Sequence, residues 1–373
     1  MDERFRSLAR TLVGHSTGIK KGDLVILTTT TAIPYDMNRA VIEAVQAAGG
    51  ELLQPMLLDP RLVAMARHAS SERSLKAEAT GLMAQFLAAD VHIILRGARN
   101  PYEQSGVPSE KATLVDRIVN GLTLSERLDH SRWVLTNWPT ESFAQLLGRS
   151  LDETEDLYFR AVLADYRAMQ RAVQPLAALM RRTKKVRITG PGTDLTFSID
   201  GIPVVPCFGE RNIPDGECFT APVRLSMNGV IQYNTLTVNK NGDRFEGVRF
   251  VVKKGKIVEA TCRAGNEKRM NQFLDTDGGG RYFGEFSLGF NTTIEEVVGD
   301  TLFDEKVEGT FHLTPGNAYD SAPNGNKSAI HWDIVNDQRA PAGGGNIYFD
   351  GKLVRKDGLF VPKALRGLNK KAA

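Results

Sequence analysis

A change of pattern near residue 186 limits what this 373-residue chain can fold into more than any other feature. Before it, strand-like and helix-like segments alternate. LVILTTTT (24–31) is rich in strand formers, and the amphipathic MNRAVIEAVQAAGG (37–50) follows, with Val41, Ala44, Val45 and Ala48 on one face. Gly49–Gly50 ends that helix. ELLQPMLL (51–58), VHIILRG (91–97) and WVLTNW (133–138) continue the alternation, which predicts a mainly parallel sheet faced by helices. A long helical stretch from Leu151 to about Met180, interrupted at Pro175, is expected to close this half. After residue 186, turn residues recur every ten or so positions and helical runs are few apart from about 266–274. VRITGPGTDLTFSIDG reads as two strands around a Gly-Pro-Gly turn, and FEGVRFVVKKGKIVEATC as a hairpin turning near Lys254–Gly255. The chain is also long for one core. The expectation is an α+β protein: an N-terminal α/β domain over residues 1–182 and a mainly antiparallel β domain over 183–373.

Several function classes drop out. The net charge is only +3, and the densest basic run, Arg181, Arg182, Lys184, Lys185 and Arg187, has no interleaved aromatics. That pattern suits a solvated link between domains, not a nucleic-acid surface. No stretch approaches the roughly 20 apolar residues of a membrane helix. The opening MDERFRSLARTLVGHSTGIKKGD lacks the apolar core of a secretory signal. Cys207, Cys218 and Cys262 form no CxxC pair, which favours reduced thiols and a cytoplasmic setting over a Cys207–Cys218 bridge. The first strand is followed by neither GxGxxG nor GxxxxGK[ST], and Pro34 stands where a phosphate loop would run. The first half therefore reads as scaffold.

Chemistry collects in the second half. In SAIHWDIV, strand alternation puts His331 and Asp333 on one face and Ile330, Trp332 and Ile334 on the other. GTFHLT repeats the device with His312 opposite Phe311 and Leu313, and RYFGEFSLGF with Glu285 opposite Phe286. Glu217 follows a Pro-Asp-Gly turn in NIPDGECFTAP. Each alone has an ordinary structural explanation; their accumulation in one half of the chain does not. His15, His68, His92 and His130 lack clustered carboxylates and read as structural or surface residues. Two histidines, two glutamates and one aspartate form a nitrogen–oxygen donor set suited to Zn²⁺, Co²⁺, Mn²⁺ or Fe²⁺. Five donors exceed the need of one catalytic zinc and suffice for two ions if a carboxylate bridges, an arrangement that activates water for hydrolysis. A serine nucleophile elbow and an HExxH helix are both absent, and Cys218 has no evident partner base.

With those residues in view, NIPDGECFTAP, GRYFGEFSLGFN, LFDEKVEGTFHLTPGNAY, NKSAIHWDIV and IYFDGKLVRKDGLF closely resemble, in order, the aminopeptidase T / PepS family of metallopeptidases. The first half matches more loosely, through GDLVIL and the helix after it. The resemblance implies a homodimer that removes N-terminal residues from peptides. It implies two divalent ions, Zn²⁺ or Co²⁺ ahead of Mn²⁺ or Fe²⁺, in the C-terminal β domain. The family's ligands carry over to Glu217, Glu285, His312, His331 and Asp333, and an oxyanion-stabilising tyrosine to Tyr319. Proton shuttling to the leaving amine would fall to Glu217 or Glu285. The segment between Tyr319 and His331 is shorter than is usual in the family, which leaves room for a small amide as substrate in place of a peptide. Mononuclear Fe(II) ring-cleaving dioxygenases of the same superfamily are the other alternative. They resemble this chain at the HxD but carry histidine at the position of Glu285 and lose the counterpart of His312.

Overall fold

The computed structural model describes all residues except 101–102, 104–106, 121–129, 240–241 and 371–373. It divides into two compact units, residues 1–163 with 209–214 and residues 164–208 with 215–373. The division falls at 163/164, earlier than the change of sequence pattern. The cause is the helix Tyr166–Arg182, which buries Val173, Leu176, Ala177 and Met180 in the core of the second unit.

The first unit is built on a parallel sheet. Glu51–Leu52, Leu24–Thr30, Val91–Arg96, Arg132–Asn137 and Asn212–Ile213 lie in that order, and Met56–Leu58 also pairs with Leu24–Thr30. Val91 to Leu95 are all buried, as expected of a strand covered on both faces. The helix Tyr35–Ala47 buries Met37, Ala40, Val41 and Val45. Its inward stripe thus lies on the same face as 41/44/45/48 but is centred about one turn earlier along the helix. The single helix expected over 151–180 is two helices, Leu151–Val162 and Tyr166–Arg182. The break is set by caps and not by proline. Ser150 and Glu153 form a capping box on the first, and Asp165 accepts from the Ala168 amide at the start of the second. Pro175 sits inside the second helix, where the buried apolar stripe outweighs its one missing hydrogen bond.

The second unit is antiparallel throughout its two larger sheets. One has five strands in the order Ile334–Asp337, Thr310–Pro315, Phe283–Gly289, Glu217–Thr220 and Val205–Cys207. The other has eight, from Lys256–Thr261 through Thr193–Ser198 and Lys185–Gly190 to Leu359–Phe360. Both hairpins read from sequence are present, the second turning on Lys254 and Gly255 at φ 48° and 78°. The α+β expectation is therefore met. The sheets share one apolar core in which Phe197 meets Phe286 edge-on at 5.0 Å and Trp332 packs between Phe245 and Phe273.

Arg355 pins the two sheets together. Fully buried, it donates to the carbonyls of Gly358 (2.9 Å), Thr310 (2.6 Å) and Gly289 (2.9 Å), the last two at adjacent ends of site-bearing strands. Burial lowers its pKa to about 9. Replacing it with methionine keeps volume but strands three buried carbonyls. Arg355→Met is expected to cost the second unit about 4 kcal/mol, given roughly 1–3 kcal/mol per lost charge-assisted bond. Urea unfolding followed by the fluorescence of Trp332 measures this, and a loss below about 1 kcal/mol would contradict the pinning role.

Candidate metal centre

The site grows out of one repeated rule, that the face opposite the apolar core carries the candidate donors. Phe286, Phe311, Leu313, Ile330, Trp332 and Ile334 point into the core, so Glu285, His312, His331 and Asp333 point away from it. Antiparallel register sets His312 across from Ser287 and Thr314 across from Glu285, while Glu217 stands across from Gly289 on the next strand. The expected strand at residues 330–335 is shorter than the sequence suggests. Ladder pairing starts at Ile334, and His331 makes only an isolated bridge to Gly316. Gly316 explains why the chain can approach so closely there. Its φ is +112°, and a Cβ would lie 2.1 Å from the Ile330 carbonyl oxygen. The two-residue alternation nevertheless persists outside the ladder.

All five residues selected from the sequence converge. His331 Nε2 lies 3.2 Å from Glu285 Oε2 and 3.2 Å from Asp333 Oδ1. His312 Nε2 lies 3.3 Å from Glu285 Oε1 and 3.6 Å from Glu217 Oε2. Glu285 therefore stands between two sets, Glu285–His331–Asp333 and Glu217–Glu285–His312. Ligands on about 2.1 Å bonds to a tetrahedral ion sit roughly 3.4 Å apart, close to these separations. Glu217, Glu285 and His312 are buried, whereas His331 and Asp333 keep 20% and 15% side-chain exposure, so the second trio forms the floor.

The polar surroundings orient the donors. His331 Nδ1 donates to the Asn317 carbonyl at 2.8 Å, which turns Nε2 toward the two carboxylates. That nitrogen is buried with both carboxylates at 3.2 Å; burial disfavours a charged His331, but Asp333 and Glu285 outweigh it and raise its pKa well above the ordinary value. Imidazole nitrogens and carboxylate oxygens that converge in one cluster, and that hold protons when no metal is bound, form a donor set that fits a divalent metal. Thr314 Oγ1 donates to Asp333 Oδ1 at 2.6 Å, and Ser287 Oγ to Glu217 Oε2 at 2.8 Å. Tyr319 stacks against His331 with ring centroids 4.6 Å apart and is 42% exposed, placing it at the mouth.

Two residues went unnoticed in the sequence. Glu305 and Lys306 follow Asp304 in LFDEKVEG, a charged string with the look of a solvated turn, yet both are buried beside Glu217. Lys306 Nζ donates to Glu217 Oε1 and, at 2.6 Å, to Glu305 Oε1. Glu305 also falls within a third donor trio, with His312 and Asp333. Burial raises the Glu305 pKa to about 8 against the opposing pull of Lys306. Burial alone would also raise Glu285, but hydrogen bonding to His312 and His331 holds it below the ordinary carboxylate value. Burial disfavours a charged His312, and Glu285, Glu217 and Asp333 outweigh it to bring the pKa up to about 9. Among the described residues, the other four histidines join no donor cluster. His92 is a core residue, bonded to Thr28 Oγ1 at 2.7 Å and packed on Phe86.

Comparison with known proteins agrees with the motifs. The profile of the thermophilic metalloprotease family (M29) matches residues 1–358. Aminopeptidase T of Thermus thermophilus is 26% identical across 97% of each chain. Aminopeptidase PepS of Streptococcus thermophilus is 29% identical over 47% of this chain and 46% of its own. In structure, wild-type AmpT from Thermus thermophilus superposes with a TM-score of 0.81 at 22% identity, over 96% of this chain and 99% of that one. The 2,5-dihydroxypyridine dioxygenase of Pseudomonas putida shares the fold at a TM-score of 0.61 and 15% identity, over 97% and 98% of the two chains.

Two outcomes follow from the geometry. Thr314→Val removes the hydroxyl that fixes Asp333 and is expected to weaken metal affinity about 10–100-fold, read by competition with a chromophoric chelator. The metal-free His312 holds its proton up to about pH 9, and a ligand nitrogen must lose it. Affinity should therefore rise between pH 7 and 9, with proton release visible by calorimetry in buffers of different ionisation enthalpy. Uptake that is flat with pH and releases no proton would contradict the assignment of His312.

Proposed function

The chain belongs to the thermophilic metalloprotease family (M29), and from that premise we propose that it is a metal-dependent aminopeptidase acting on the free N-termini of peptides. The observation that carries this reading is the convergence of Glu285, His331 and Asp333 at the more exposed end of a buried histidine–carboxylate cluster. Divalent ions bound by the five side chains, Zn²⁺ or Co²⁺ in this reading and two in number, would supply Lewis acidity and a water acidic enough to attack at neutral pH. His331 and Asp333 would hold an ion at the accessible position, Glu217 and His312 one at the buried position, and Glu285 is shared by the two donor sets. Tyr319, whose ring lies against His331, would donate a hydrogen bond to the carbonyl oxygen as it becomes an oxyanion; that contact supports the role.

The proton for the leaving amine needs a carboxyl that is not committed to a cation. Glu217 and Glu285, the sequence candidates, are both held in the donor set. Glu305, outside the two trios that share Glu285, is a third candidate: burial raises its pKa to about 8 against the pull of the Lys306 ammonium from which it accepts. A homodimer and a cytoplasmic location belong to the same reading; the three free thiols support the latter. Among the described residues no helix is long and apolar enough to cross a membrane.

Glu285→Ala is expected to abolish hydrolysis of leucine p-nitroanilide and to lower bound metal, with circular dichroism unchanged. Full activity in that variant would refute the assignment. Oxygen consumption with a dihydroxylated pyridine, without amide hydrolysis, would instead establish the dioxygenase reading.

A further inference from the structure

The five donors do not account for the charge around Glu217. Lys306 has no exposed surface. Its ammonium contacts Glu217 Oε1 and Glu305 Oε1, and Asp215 Oδ1 lies 4.0 Å away. Ser287 donates to the other oxygen of Glu217. Both oxygens of Glu217 thus already accept from a donor, one of them a full positive charge. The accessible trio differs: Asp333 accepts from a neutral hydroxyl and, among the described residues, pairs with no ammonium or guanidinium.

An ammonium and a metal ion seek the same carboxylate lone pairs, and in a buried, weakly screened region each repels the other. A second ion on Glu217, Glu285 and His312 would face Lys306 across a single carboxylate. The ammonium cannot retreat to water, because its whole side chain is enclosed and its other partners, Glu305 and Asp215, hold it in place.

We propose that Lys306 is a fixed cation built into the centre that makes the two ion positions unequal. Glu285, His331 and Asp333 hold one ion tightly, while the Glu217–Glu285–His312 position takes its ion weakly, against the ammonium. Part of the charge that a second metal supplies elsewhere is here supplied by the chain. The inference rests on the metal-dependent reading above and deepens it.

Calorimetric titration of the metal-free full chain with Zn²⁺, and elemental analysis after desalting, test it without peptide substrate. The unaltered chain should keep one ion through desalting and bind a second at least about 10-fold more weakly, the lower end of the range for altered surroundings of a metal site. Lys306→Gln retains a donor for Glu217 without the charge, and should bring the second affinity up by about 10-fold or more. Two ions of equal affinity in the unaltered chain would overturn the proposal. So would an unchanged second affinity in a Lys306→Gln variant that melts like the parent. If that variant does not fold, Lys306→Met serves in its place, and the isotherm of the unaltered chain decides by itself. Peptide cleavage with two equal ions would remove this inference and leave the proposed function; unequal ions without cleavage would do the reverse.

Discussion

Everything at this centre depends on a two-faced sheet whose apolar side is held by a packed core. Phe286, Phe311, Leu313 and Trp332 are each no more than 3% exposed, and burying such side chains fixes the rotation of every strand about its axis. A one-residue slip would carry Glu285 or His312 into the core and leave an aromatic ring at the site. The energetic demand for core packing thus enforces the placement of the chemistry. Trp332 makes the link most directly, since it lies between His331 and Asp333 in sequence and its indole N–H is anchored on Thr237 Oγ1 at 3.1 Å.

The opposite face is itself mostly buried, which is costly for charged groups. Asp215, Glu217, Glu285 and Glu305 are all under 9% exposed. The structure offsets this with imidazoles whose protonation the carboxylates favour, with Lys306, and with hydroxyls from Ser287 and Thr314. A centre of this kind is stable only when cations complete it, whether protons, an ammonium or metal ions. The protons on the histidines and the charge at Lys306 therefore act on the same carboxylates and are not separate properties.

Much of this was readable from the chain. The hairpins announced themselves through Gly-Pro-Gly and Lys-Gly turns, and the donor residues through a histidine or glutamate set between apolar neighbours. The parallel sheet showed as apolar runs separated by helical segments. What stayed hidden has identifiable reasons. The break at 163–165 is a capping decision by Asp165, weaker in sequence than the proline that drew attention ten residues later. The allocation of Tyr166–Arg182 to the second unit is a matter of packing partners, which periodicity does not name. The charged string at 304–306 looks solvated in one dimension, and its burial follows from where the loop closes over Gly289, whose missing side chain admits the Glu305 and Val307 carbonyls.

The sequence by itself determined which residues could act, because strand periodicity assigns faces locally and the core pattern leaves no other register. Only the tertiary structure decided how those residues share charge. Glu217, Glu285 and Lys306 lie on separate segments, and their separations depend on sheet order, a bulge between Phe283 and Glu285, and loop closure. Electrostatic interaction falls with distance in space, and no local pattern in the chain encodes that distance.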